Sequence, residues 1–93
     1  MVEVNEYFNG SVKSLTVNSS EGKKTLGVME AGEFEFDTTK KETMTIISGA
    51  VSVFLPEYNE WEDFEAGASF DIPAGVKFKV RVKEDTAYLC KYE

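Results

Sequence analysis

Histidine does not occur in the 93 residues. Its absence removes imidazole acid–base catalysis, Ser/His and Cys/His nucleophile pairs, and every His-ligated zinc or iron centre. The single cysteine, Cys90, has no base to activate it and sits beside apolar Leu89, so it reads as a buried structural thiol. It cannot form an internal disulfide. Carboxylates, lysines, hydroxyls and aromatics must therefore perform any chemistry. Seven Phe, four Tyr and one Trp are mostly what a small core needs, and Trp61, followed by Glu62 and Asp63, reads as packing. Arg81 is the sole guanidinium; in Phe78-Lys79-Val80-Arg81-Val82 it falls opposite the apolar side chains, on a solvated outer face. The net charge of −7 opposes sequence-independent binding to nucleic-acid backbones and makes a nucleic-acid polymer a poor partner.

Short strands must position these groups, because no stretch sustains helical spacing of apolar residues. Runs rich in Val, Ile, Thr, Phe and Tyr predict strands at Ser11–Val17, Lys24–Met29, Glu33–Phe36, Glu42–Ile47, Val51–Leu55, Glu60–Phe64, Ala68–Ile72, Lys77–Val82 and Thr86–Tyr92. Turn residues separate them at Asn18–Gly22, Ala31–Gly32, Pro56–Asn59, Ala66-Gly67 and Pro73–Gly75, and Ser48-Gly49 reads as a tight hairpin. That rhythm predicts an all-β, jelly-roll barrel in which residues 1–93 form one domain. Phe78, Val80 and Val82 share one face, as do Phe34 and Phe36, whereas Thr45-Ile46-Ile47 reads as covered on both sides, suiting a contact between two copies of the chain. No apolar run approaches the roughly 20 residues of a membrane span, and the N-terminus lacks the features of a secretion signal. A cytoplasmic, membrane-free protein is the expectation.

Two spacings resemble the cupin barrel. Gly67, Pro73, Gly75, Phe78 and Val82 fall as in the second cupin motif, and Glu42 and Gly49 as at the end of the first. The Pro-x-Gly turn and the glycines suit tight corners between barrel strands. In the cupin pattern Phe78 stands at a metal-ligand position and no His-x-His precedes Glu42, so the resemblance, read with these departures, implies a barrel with no metal site. Over nearly its whole length the chain resembles the small cupins of the pyrimidine/purine nucleoside phosphorylase family. Asn5-Glu6-Tyr7-Phe8, Gly27-Val28-Met29, Met44 to Ala50, Leu55-Pro56, Trp61, Glu65-Ala66-Gly67 and Tyr88-Leu89-Cys90-Lys91-Tyr92 bear the likeness. It implies an enzyme with no cofactor that uses inorganic phosphate as co-substrate to cleave nucleosides to free base and ribose 1-phosphate, and a homodimer is expected.

Cleaving a nucleoside C1′–N bond builds positive charge on the sugar, which calls for nearby negative charge and a well-placed nucleophile. Phosphate supplies both, and neither histidine nor metal is demanded of the protein. Glu42 is the favoured catalytic carboxylate, since the motif register points it into the barrel beside Met44 and Ile46. For phosphate the candidates are Lys91, Arg81, Lys13, Thr45 and Ser48, of which Lys91 lies inside the family-like terminal segment. For the base, an aromatic platform from Phe78, Tyr88, Tyr92, Phe36 or Tyr7 would accept purines and pyrimidines alike. Substrate-binding residues are thus expected at Thr45, Ser48, Phe78, Tyr88 and Lys91. The alternative from another class is a non-catalytic small-molecule-binding cupin module, since fold alone does not fix activity. A metal-free sugar isomerase or epimerase using Glu42 and Tyr88 ranks behind both.

Overall fold

Ten antiparallel strands make up most of the chain in the computed structural model, which describes residues 1–93. They are β1 (Val4–Tyr7), β2 (Val12–Ser19), β3 (Gly22–Met29), β4 (Gly32–Asp37), β5 (Glu42–Ser48), β6 (Ala50–Leu55), β7 (Glu60–Glu65), β8 (Ser69–Ile72), β9 (Lys77–Val82) and β10 (Thr86–Tyr92). A 3-10 turn at Phe8–Gly10 follows β1, and no helix is long and apolar enough to cross a membrane. All nine expected strands form, and β1 is an addition. Val4-Asn5-Glu6-Tyr7 has too few strand-favouring residues to stand out in sequence; pairing with β2, Val4 opposite Leu15 and Tyr7 opposite Val12, makes it a strand.

Hydrogen bonding joins the strands into two sheets, β1-β2-β3-β10-β5-β8 and β4-β9-β6-β7. They face one another as a jelly roll, so the barrel is a sandwich linked by chain crossings. Ser48-Gly49 is one of these crossings, which corrects the expected hairpin. Both edges of β5 are taken, by β10 and β8, so β6 cannot fold back onto it and enters the other sheet beside β9. Gly49 makes the corner at φ +98°, with Asp85 O 2.9 Å from where a Cβ would stand.

Period-two alternation then sorts every strand into an inner and an outer face. Along β9, Phe78, Val80 and Val82 are buried while Lys77, Lys79 and Arg81 are exposed. At one end the sheets meet through Val12, Ile46, Val51, Val53, Val80 and Val82, all nearly or fully excluded from solvent. This dry cluster closes that end of the sandwich and leaves space only at the other. Outside, Ile46 and Ile47 part company: Ile46 is fully buried, but Ile47 is 49% exposed on the outer face of the six-stranded sheet.

Candidate functional site

Away from that cluster the inner faces become polar. Ser14 on β2, Thr25 on β3, Glu42 on β5 and Cys90 on β10 stand where aliphatic side chains would otherwise pack, and a cavity of ≈ 270 Å³ opens between the sheets. Small-molecule pockets typically hold about 300–1,000 Å³, so this one suits a compact ligand.

Glu42 begins β5 and lies opposite Tyr92 in the ladder with β10. Its carboxylate is half-buried and its Oε1 accepts a hydrogen bond from Cys90 Sγ at 3.2 Å. Burial pushes the carboxyl above its ordinary 4.5, and the thiol's hydrogen bond partly opposes that rise. Burial, reinforced by the charge of Glu42, pushes the Cys90 thiol upward, so it stays protonated and able to donate. Burial likewise raises Tyr92, whose hydroxyl lies 3.2 Å from Thr25 Oγ1 on the neighbouring strand. The Tyr88 phenol is pushed up to about 12, again mainly by burial. All three remain neutral donors at physiological pH.

Gly27 makes room for Tyr88. The two are paired across β3 and β10, and a Cβ on Gly27 would lie 2.5 Å from the Tyr88 ring and hydroxyl. The ring therefore lies flat across the glycine and reaches toward β2. The four-stranded sheet supplies the opposing wall. Phe36 and Phe78, paired across β4 and β9, stack with centroids 5.6 Å apart at 27°, and Phe8 meets Phe36 edge-on at 5.5 Å. An aromatic wall thus faces a polar one. Two carboxylates, Glu42 and Asp37, line the cavity, and Lys23 is its only basic side chain. Lys23 Nζ lies 5.2 Å from the centre of the Tyr92 ring.

Of the residues expected from sequence, the cavity brings together Glu42, Phe78 and Tyr88, with Tyr7, Phe36 and Tyr92. Thr45, Ser48 and Lys91 lie outside it. Thr45 falls between the inward Met44 and Ile46 and instead shares a 2.7 Å hydrogen bond with Ser69 on the outer face. Ser48 is exposed where β5 leaves its sheet. Lys91 falls between Cys90 and Tyr92 and so points outward, exposed, opposite Lys24. Lys13 pairs with Glu6 at 3.9 Å on the outer surface; Arg81 lies 3.9 Å above the Trp61 ring and bonds Glu33 at 3.4 Å. Lys23, Thr25 and Ser14 were not singled out in sequence, and Asn5 entered only as part of the family-like start, not as a lining residue. The signal for the first two was the alternation Lys23, Thr25, Gly27, Met29, which places them on one face; Asn5 belongs to the strand that sequence did not disclose.

Asp37, Glu42 and Cys90 all line the cavity, but no three Cys, Asp or Glu side chains are arranged to share a metal ion, and Phe78 stands at a ligand position of the cupin frame. The residues present do not fit a bound metal ion.

The facing sheets with a cavity between them define a cupin-type jelly roll. A RmlC-like cupin from Shewanella frigidimarina superposes with a TM-score of 0.75 over 98% of this chain and 82% of that one, at 14% identity, a likeness of fold alone. A protein of unknown function from Vibrio parahaemolyticus superposes with a TM-score of 0.95 at 39% identity, covering 100% of this chain and 99% of the other. The sequence pattern of the pyrimidine/purine nucleoside phosphorylases matches residues 2–92. Proteins of that name from Pseudomonas fluorescens and Pseudomonas putida are 52% and 54% identical over 92 residues, 99% of this chain and 98% of each of theirs. The chain belongs to the pyrimidine/purine nucleoside phosphorylase family.

Proposed function

We propose that the protein cleaves purine and pyrimidine nucleosides with inorganic phosphate, independently of metal, releasing the free base and ribose 1-phosphate. The observation behind this reading is the pairing, in one cavity, of a half-buried carboxylate at Glu42 with the stacked aromatic wall of Phe36 and Phe78. The base lies against that wall, which grips a flat ring without demanding one edge pattern and so admits both base classes. Glu42 accepts hydrogen bonds from ribose hydroxyls and lies close to the positive charge that grows at the sugar. A phosphate oxygen attacks C1′, the C1′–N bond breaks with its electron pair going to the base, and the proton of hydrogen phosphate ends on the base. The Tyr88 and Tyr92 phenols, neutral at working pH, donate to substrate oxygens. Thr45, Ser48 and Lys91 take no part, since none of them lines the cavity.

Metal-stripped protein incubated with adenosine or uridine should release base, followed by chromatography, only when phosphate is present. Release without phosphate would mean hydrolysis. No turnover, with thermal stabilisation by nucleoside, would support a non-catalytic binding module.

Within this reading the protein works as a cytoplasmic homodimer. Support for the dimer comes from the outer face of the six-stranded sheet, where Leu15, Leu26, Val28 and Ile47 are 42–52% exposed around an apolar groove of ≈ 510 Å³.

A further inference from the structure

A phosphate dianion entering a cavity that already holds Glu42 and Asp37 needs a compensating positive charge, and the sequence-expected cations all point away from it. We propose that Lys23, together with the paired hydroxyls of Thr25 and Tyr92, forms the phosphate subsite. The proposal rests on the phosphorolysis reading and names where its co-substrate sits.

Three features of the cavity mouth converge on this assignment. Lys23 is the only lysine or arginine lining the cavity, and it takes part in none of the protein's ion pairs; its neighbour Lys24, turned outward, is the one that meets Glu21 at 3.4 Å. Lys23 is exposed at the rim of the cavity, and its ammonium lies over the Tyr92 ring, 5.2 Å from the centroid, which directs its stem across β10. Beside it, Thr25 Oγ1 and Tyr92 OH are 3.2 Å apart, two hydroxyls that can each turn a proton toward an anion. Burial keeps the Tyr92 phenol protonated, so it offers a donor rather than a second negative charge.

The order of strands places this cluster correctly for attack on the sugar. β3, β10 and β5 are adjacent, and Tyr92 lies directly opposite Glu42. Lys23 on β3, Tyr92 on β10 and Glu42 on β5 therefore form a row along one end of the six-stranded sheet, facing the aromatic wall. An anion at the Lys23 end and ribose hydroxyls at the Glu42 end leave C1′ between the phosphate and the stacked base. The negative charge of the carboxylate stays a strand away from the phosphate, and both act on the same developing positive charge.

Steady-state kinetics on Lys23→Gln, varying phosphate and nucleoside separately, test the assignment. Losing a charge-assisted contact should raise the phosphate KM by roughly 10- to 100-fold, while the nucleoside KM changes by no more than about twofold. Lys23→Arg should recover most of the phosphate affinity, and Thr25→Val and Tyr92→Phe should each weaken it by roughly threefold to tenfold. Calorimetric titration of the same proteins with inorganic phosphate, with and without saturating uracil, gives a readout that needs no turnover. Wild type should bind phosphate and Lys23→Gln should bind it at least about tenfold more weakly. An unchanged phosphate KM in Lys23→Gln, or phosphate binding that is absent or indifferent to Lys23 in the titration, overturns the subsite. Wild type that binds phosphate through Lys23 yet fails to transfer ribose to it would instead overturn the phosphorolysis reading and leave the anion site standing.

Discussion

Glu42 is subject to two opposed influences, burial that favours its neutral form and a thiol that favours the carboxylate. For catalysis through the ionised form, kcat/KM should fall on the acid side with an inflection displaced above 4.5. Cys90→Ala removes the hydrogen bond that opposes the rise and should move that inflection to higher pH, whereas Cys90→Ser retains a donor and should hold it near wild type; a profile identical in both variants would contradict the role given to the thiol. Glu42→Gln should lower kcat/KM by roughly 100-fold or more. It should also raise the melting temperature at neutral pH. A carboxyl whose folded pKa is raised contributes stability that is fully present below its unfolded value near 4.5 and is lost as pH rises through the folded value. The neutral amide removes that loss, so inactivity with undiminished stability separates catalysis from unfolding, and a Glu42→Gln protein that melts lower at pH 7 would argue against a desolvated carboxylate. The sequence alone suggested the residue through the motif register, but the Cys90 contact depends on β10 lying beside β5, a pairing distant in the chain.

At the scale of the strand, β3 and β10 together shape the cavity. Gly27 is needed because the Tyr88 ring occupies the space its Cβ would fill, not because of its backbone angles. Gly27→Ala should displace that ring, cost roughly 1–3 kcal/mol in a urea denaturation curve, and reduce activity even where the protein remains folded. A neutral Gly27→Ala variant would show that the ring has another place to go. Alternation read along β9 correctly put Phe78 inward, because that strand carries a clear apolar face, whereas Glu42 on β5 was placed inward by the motif register, its strand reading as apolar on both sides. The same rule applied to β10 turns Lys91 outward once Tyr88, Cys90 and Tyr92 are taken as the inner set, and applied to β3 it puts Lys23 on the face of Thr25, exposed at the cavity rim. A family-like neighbourhood drew attention to Lys91, whereas Lys23, in a polar run after a turn, gave no apolar partner to reveal its face. The crossing at Ser48-Gly49 was hidden for a different reason: the same Gly-centred corner serves a hairpin or a change of sheet, and only the occupied edges of β5 decide which.

For the whole molecule, the division of the sandwich into a dry end and a polar end explains how so short a chain can spare any interior for a ligand. The aliphatic cluster fills one half, and aromatic stacking rather than aliphatic packing supports the other. The uncovered apolar face on the far side of the six-stranded sheet backs directly onto the cavity strands β3 and β10. If a second copy covers it, Ile47→Lys with Leu26→Lys should convert a dimer to a monomer in light scattering after gel filtration; a wild-type monomer at micromolar concentration would remove the dimer from the account. The most direct test of the central claim is a phosphorus NMR time course of metal-stripped protein with uridine and inorganic phosphate. Ribose 1-phosphate should accumulate in step with free uracil. Uracil appearing beside unphosphorylated ribose, with the phosphate signal unchanged, would contradict it.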